Sequence, residues 1–176
     1  MIMVADLLFL AMGQTLDIFN SAQSGTAMKY GTVQGTRIMT VMERLTGVVF
    51  SDLGKASSFM ALDWVQDLLN ERLGYHPFPA TLNVRPQGAE DAQVWRRVRN
   101  GRAGTPLTSA SDGHCGAKLY RVEIYQDANS VKVDGAILLP DVDDYPQDKI
   151  EIVAPVRLKD HFRVHDGDQL TVEFLS

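Results

Sequence analysis

The sequence predicts a mainly β, α+β chain: a small barrel-like domain of short strands around one principal helix. Three observations carry that expectation. Five or six short segments rich in β-branched and aromatic residues are separated by turn-forming residues. One stretch, Phe59 to Leu73, repeats its apolar residues at helical spacing. The strands do not alternate with helices of similar weight, so a parallel βαβ sheet is not expected.

Taken in order, residues 1–42 are poorly patterned and read as an N-terminal extension, disordered or arising from an upstream start. Within them Asn20 to Thr36 is rich in Ser, Gly, Thr and Gln and shows neither period. The barrel domain is expected over residues 43–176. Thr46-Gly-Val-Val-Phe50 is its first strand, and Ser51-Asp-Leu-Gly54 is turn-rich. In the helix, Met60, Trp64, Leu68 and Leu69 share one face, with Asp63, Asp67, Glu71 and Arg72 on the other. Gly74 is a natural C-cap, and Pro77 and Pro79 prevent continuation. Thr81 to Val84 is a short strand, Ala89 to Val98 a short helix, and Asn100 to Gly116 a polar loop containing His114. Further strands are expected at Ala117 to Ile124, Val131 to Val133, Ala136 to Leu139, Ile150 to Val153 and Gln169 to Phe174. Asp166-Gly-Asp168 is a strong turn before the last of them.

Bulk composition narrows the function classes. A chain of 176 residues, 45% hydrophobic, suits one domain with a real core. Its net charge of −5 supplies no field for nucleic acid or an acidic membrane surface. A single cysteine, Cys115, excludes an intramolecular disulfide and any multi-cysteine zinc cluster, in keeping with a reducing compartment. The apolar start Met1 to Gly13 lacks a basic n-region and is interrupted by Asp6. At about a dozen residues it is also too short to span a bilayer. A soluble, cytoplasmic protein is expected, with neither nucleic acid nor membrane as partner and a monomer compatible with the sequence.

The usual catalytic signatures are absent: no Walker A loop, no dinucleotide glycine fingerprint, no nucleophile elbow, no protein-kinase catalytic loop. The four histidines, at 76, 114, 161 and 165, do not fall at metal-ligand spacing. Three segments rise above this background. They are Gly74-Tyr-His-Pro-Phe-Pro-Ala-Thr-Leu-Asn-Val84, Asp134-Gly-Ala-Ile-Leu-Leu-Pro140 and Ile150-Glu-Ile-Val-Ala-Pro-Val-Arg-Leu-Lys159, followed by Asp166-Gly-Asp168. In this order, over roughly Leu45 to Phe174, the chain resembles the archaeal-type CTP-dependent riboflavin kinases.

The resemblance implies a compact six-stranded cradle-loop, RIFT-like β-barrel with one principal helix and short peripheral helices. It implies transfer of the γ-phosphate of CTP to the ribityl 5′-hydroxyl of riboflavin, giving FMN and CDP, with Mg2+ as cofactor. Thr81 and Asn83 match the metal-binding threonine and asparagine. As residues i and i+2 of a strand they would present two hard oxygens on one side. Taken alone, Thr-x-Asn is ordinary strand-end polarity. Val156, Arg157, Leu158 and Lys159 match the segment that clasps the nucleotide base, although Arg157 and Lys159 by themselves read as a solvated helix start. Glu151 matches a flavin-contacting glutamate and lies opposite Ile150 and Ile152 by strand alternation; a surface glutamate is the plain alternative.

The sequence also departs from the family. Asp143 stands where a flavin-facing threonine is frequent, Ala80 replaces a glycine, and Lys159 replaces an arginine. The phosphate loop, usually Ser-Gly-x-Gly-x-Gly, reads here Ser51-Asp52-Leu53-Gly54-Lys55-Ala56-Ser57. Glycines there let backbone N–H groups approach phosphates. Asp52 brings a negative charge instead, with Lys55 as the compensating cation along the chain. A non-catalytic flavin- or nucleotide-binding module is therefore the alternative expectation, and the sequence names no general base.

Overall fold

The computed structural model describes residues 26–33, 36–52, 55–108 and 116–175. The strands are β1 (Thr26–Val33), β2 (Thr36–Phe50), β3 (Leu82–Pro86), β4 (Thr105–Leu107), β5 (Ala117–Tyr125), β6 (Val133–Pro140), β7 (Ile150–Val153) and β8 (Gln169–Phe174). The helices are α1 (Lys55–Met60), α2 (Asp63–Leu73), α3 (Ala89–Gly101) and α4 (Leu158–Phe162).

Antiparallel pairing runs β2-β3-β7-β6-β5, and β8 joins β5 back to β2. This makes a closed six-stranded barrel, the predicted fold, and closure leaves these strands no free edge. β1 and β4 are additions outside the ring, paired with β2 and β5.

Strand alternation fills the interior. Leu45 and Val49 of β2, Leu82 and Val84 of β3, and Ile150 and Ile152 of β7 point inward. Val122 and Ile124 of β5, Ile137 and Leu139 of β6, and Leu170, Val172 and Phe174 of β8 meet them. Two inward positions are glycines because there is no room for more. A Cβ on Gly47 would lie 2.7 Å from Val84 Cγ2, and one on Gly135 2.7 Å from the Val153 carbonyl oxygen. Helix α3 adds Val94, Trp95 and Val98 to this core. It is tied to β2 where buried Asp91 accepts the Thr46 N–H at 2.9 Å.

The outer face of β5, β6 and β7 is covered as well. Leu119, Ala136, Leu138 and Val153 pack against Met60, Val65, Leu69 and Leu73. β6 is thus buried on both faces, which explains its unbroken apolar run Ala136-Ile-Leu-Leu139.

Several elements differ from the sequence reading. The single helix Phe59 to Leu73 is two helices, because Leu62 is extended at φ −73°, ψ 132°. The Gln66 side chain donates to the freed Met60 carbonyl at 2.7 Å, so the break leaves no orphaned acceptor there. The buried stripe of α2 is Val65, Leu69 and Leu73, with Trp64 and Leu68 at its margin. Gly74 is the expected C-cap, at φ 85°. Helix α3 continues to Gly101 rather than ending at Val98. The predicted polar loop contains β4, and its His114 lies outside the described residues. Val131 to Leu139 holds one strand, β6, rather than two.

β2 begins at Thr36, not Thr46, and its first part pairs with β1. Described structure thereby reaches back to Thr26, into the segment read as an unpatterned extension.

Candidate functional site

Because Leu82 and Val84 point inward, Asn83 points outward. The same alternation turns Glu151 outward between Ile150 and Ile152. Antiparallel register makes Asn83 and Glu151 direct partners, with Phe50 opposite Asn83 and Leu138 opposite Glu151. Glu151 is only 6% exposed, so it is not a surface glutamate.

Its burial is matched by a cation. Lys149, on the same side of the chain just before β7, places Nζ 2.6 Å from Glu151 Oε1 and 2.6 Å from Asp52 Oδ2. Burial alone lowers the pKa of this ammonium. The hydrogen bonds to Asp52 and Glu151 outweigh burial and hold it above the usual lysine value. Tyr145 adjoins them, with Lys149 Nζ 5.7 Å from its ring centre. Burial, and then the Glu151 carboxylate, push the Tyr145 phenol well above its ordinary value, so it stays protonated.

A second cluster joins residues more than a hundred positions apart. Asp166 Oδ2 accepts the Ser51 N–H at 2.8 Å, and Oδ1 accepts the Ser51 hydroxyl at 3.0 Å. Lys159 Nζ donates to the Ser51 hydroxyl at 3.0 Å and to Asp166 Oδ1 at 2.7 Å. Lys159, then Ser51, hold the Asp166 carboxyl below its usual range. The turn is set by Gly167 at φ 96°, whose N–H meets the Val49 carbonyl at 2.9 Å.

The structure therefore brings Ser51 and Asp52 together with Lys159, Glu151 and Asn83. Thr81 is half-buried directly before β3, two residues from Asn83. Arg157 is exposed and pairs with Asp160 at 3.0 Å, as a solvated helix start would. Val156 is exposed, whereas the Leu158 side chain belongs to the core and leaves only its main chain for a ligand. Leu53 and Gly54 lie outside the described residues, and Lys55 and Ala56 open α1. Asp143 sits in an exposed turn, and among the described residues its carboxylate makes no hydrogen bond or ion pair with the cluster.

The sequence reading missed Lys149, Tyr145 and the side-chain role of Asp166. Lys149 carried a usable signal: strand alternation puts residue 149 on the same side as Glu151.

Among the described residues no group of three or more His, Cys, Asp or Glu could hold a metal. The Asn83 Oδ1 atom is buried without a hydrogen-bond partner. An acceptor left so is costly unless something binds it. A hard cation taking few protein oxygens, and the rest from phosphate and water, fits that donor set. Nor is any helix of the described residues long and apolar enough to cross a membrane.

The described residues thus form a closed barrel that carries carboxylates, lysines and an unsatisfied amide oxygen together on its outer face. Comparison with known proteins gives this barrel a family. Residues 49–174 match the family CTP-dep_RFKase, described as a domain of unknown function, DUF120. A riboflavin kinase of Pyrobaculum arsenaticum is 35% identical over 137 residues, covering 75% of this chain and 60% of that protein. A riboflavin kinase of Thermofilum pendens is 35% identical over 132 residues, 73% of this chain and 57% of its own. A riboflavin kinase of Methanococcoides burtonii is 31% identical over 131 residues, 73% of this chain and 55% of its own. The chain thus spans somewhat over half the length of these relatives. It belongs to the archaeal-type riboflavin kinase family.

Proposed function

We propose that the protein is a riboflavin kinase, moving the γ-phosphate of CTP onto the ribityl 5′-hydroxyl of riboflavin to give FMN and CDP. The observation that carries this reading is the register pairing of Asn83 with Glu151. Beside that pair, Lys149 reaches the Asp52 end of the loop after β2. A metal–phosphate position and a flavin position would then be neighbours on adjacent strands, as a direct transfer between two bound substrates requires.

Each residue has a role in this reading. Glu151, buried and fixed by Lys149, accepts a hydrogen bond from the flavin. Residues 51–56 cover the phosphates, with Ser51 pinned by Asp166 and Lys159. Residues 156–159 hold the nucleotide base through main-chain groups, Arg157 and Lys159 adding charge. Asp143 lines the flavin side from the turn after β6. Thr81 and Asn83 would hold Mg2+, which when bound neutralises phosphate charge. Phosphoryl transfer asks the protein chiefly for such positioning and neutralisation. The domain boundary between residues 42 and 43 belongs to the same reading.

The test is incubation of the full chain with riboflavin, Mg2+ and either CTP or ATP, followed by chromatography. FMN formed with CTP in preference to ATP is expected. Thermal protection by flavin with no FMN from either nucleotide would sink the kinase reading. It would favour a non-catalytic binding module, for which the loop with only Gly54 among its family glycine positions is the argument.

A further inference from the structure

The strand alternation that turns Asn83 outward also turns Arg85 outward, two residues further along β3. Val49 of β2 points inward, so Phe50 stands on the same outer face, opposite Asn83 in register. The Arg85 guanidinium carbon lies 4.2 Å from the centre of the Phe50 ring, although the register partner of Arg85 is Val48. The charge is therefore held against the side chain that faces Asn83. Lys149 and Lys159, by contrast, are already engaged. Lys149 Nζ is 2.6 Å from both Asp52 and Glu151, and Lys159 Nζ is 2.7 Å from Asp166. The closest approach of Arg85 to a carboxylate is Nε, 3.5 Å from Asp148 Oδ2, with both side chains more than half exposed. Such a pair is weak. Among the described residues, neither terminal guanidinium nitrogen of Arg85 donates a hydrogen bond.

We propose that Arg85 is a phosphate-binding residue, its terminal guanidinium nitrogens donating to non-bridging oxygens of a nucleoside diphosphate or triphosphate whose metal sits at Asn83. This rests on the reading of Asn83 as the metal position. A planar fork suits a phosphate, and a charge held over an aromatic ring is oriented before the ligand arrives. Two strand residues span roughly 7 Å, so phosphates on a metal at Asn83 would lie within reach of the Arg85 side chain. The exposed contact with Asp148 gives way at little cost. Phe50 is then a positioning residue. It acts through Arg85 and contributes nothing to the nucleotide once the guanidinium is gone.

The experiment is calorimetric titration of the full chain with CDP and Mg2+ at low and high salt, and separately with riboflavin. It uses the wild type, Arg85→Gln, Arg85→Lys, Phe50→Leu and the Arg85→Gln/Phe50→Leu double variant, each checked by thermal melting. Both Arg85 substitutions replace an exposed side chain and leave the core untouched. Arg85→Gln is expected to weaken CDP binding roughly tenfold at low salt, the scale of one charge-assisted contact, and to change riboflavin binding far less. The gap should narrow at high salt, as screening removes the charge contribution. Arg85→Lys should recover part of the loss. Phe50→Leu should lose less than Arg85→Gln, and the double variant should bind CDP no more weakly than Arg85→Gln. Wild-type CDP affinity in Arg85→Gln overturns the proposal and leaves the metal reading of Asn83 standing. Equal losses for CDP and riboflavin overturn it as well, since they mark a general disturbance of the barrel face. A double variant weaker than Arg85→Gln overturns the positioning role of Phe50. A wild-type chain that binds riboflavin but no CDP removes the nucleotide reading itself, and the proposal with it.

Discussion

Asn83 on β3 and Glu151 on β7 are register partners on the outer face of the barrel, one with an unsatisfied amide oxygen and the other a buried carboxylate held by Lys149. A sheet rarely leaves two such groups side by side without a ligand to use them. Their adjacency brings two separate sequence motifs side by side.

Asn83→Ala is expected to abolish FMN formation and leave the fold intact. Asn83 Oδ1 accepts no hydrogen bond among the described residues, so truncation breaks none there. Stability should change by no more than about 1 kcal/mol. Circular dichroism and a chromatographic FMN assay check the two halves; unchanged FMN production would refute the metal assignment.

Glu151→Gln removes the charge but keeps the shape. Lys149 still has Asp52, so the ammonium is not stranded. Riboflavin affinity, read from quenching of flavin fluorescence, should fall roughly tenfold, the scale of one charge-assisted hydrogen bond. An equal loss in CDP affinity would argue that Glu151 serves the loop and not the flavin.

Gly135→Ala tests the barrel wall. The added Cβ would meet Ile124 Cδ1 at 2.6 Å and the Val153 carbonyl oxygen at 2.7 Å. The carbonyl belongs to a paired strand and cannot move cheaply. A loss of about 1–3 kcal/mol in urea unfolding is expected, as for other overpacked cores. No measurable loss would mean that β6 and β7 separate more easily than their pairing implies.

The Asp166 turn should show itself in acid. Its carboxyl is held below the ordinary value of 3.8, by Lys159 first and Ser51 next. A depressed carboxylate stabilises the fold above its unfolded value and loses that contribution as pH falls through the folded one. Asp166→Asn should therefore melt lower than the wild type at neutral pH. The gap should close as pH drops below the ordinary carboxylate range. A gap independent of pH would assign the effect to turn geometry rather than charge.

Much of this fold is legible along the chain wherever one residue's surroundings are set by its near neighbours. Ile150 and Ile152 point inward and Glu151 outward because strand side chains alternate. Gly74 ends α2 because a residue at φ 85° favours glycine. The break at Leu62 was hidden because the apolar period continues through it, and β4 because three residues make no period. The early start of β2 was hidden because residues 1–42 carry no clear strand period.

The site divides in the same way. Thr81, Asn83, Glu151 and the segment 156–159 were readable as motifs, each a short local string. Lys149 as the partner of Asp52, and Lys159 and Asp166 as the partners of Ser51, were not. The side chain of Lys55, the cation nearest to Asp52 in sequence, lies outside the described residues, and the ion pair of Asp52 with Lys149 spans 97 positions. Local periodicity and turn chemistry, which act over a few residues, determined the strands, the glycine positions and the family resemblance. Which charges meet was decided only when barrel closure set β7 beside β3 and brought the Asp166 turn to the end of β2, because strand pairing is chosen by topology and not by distance along the chain.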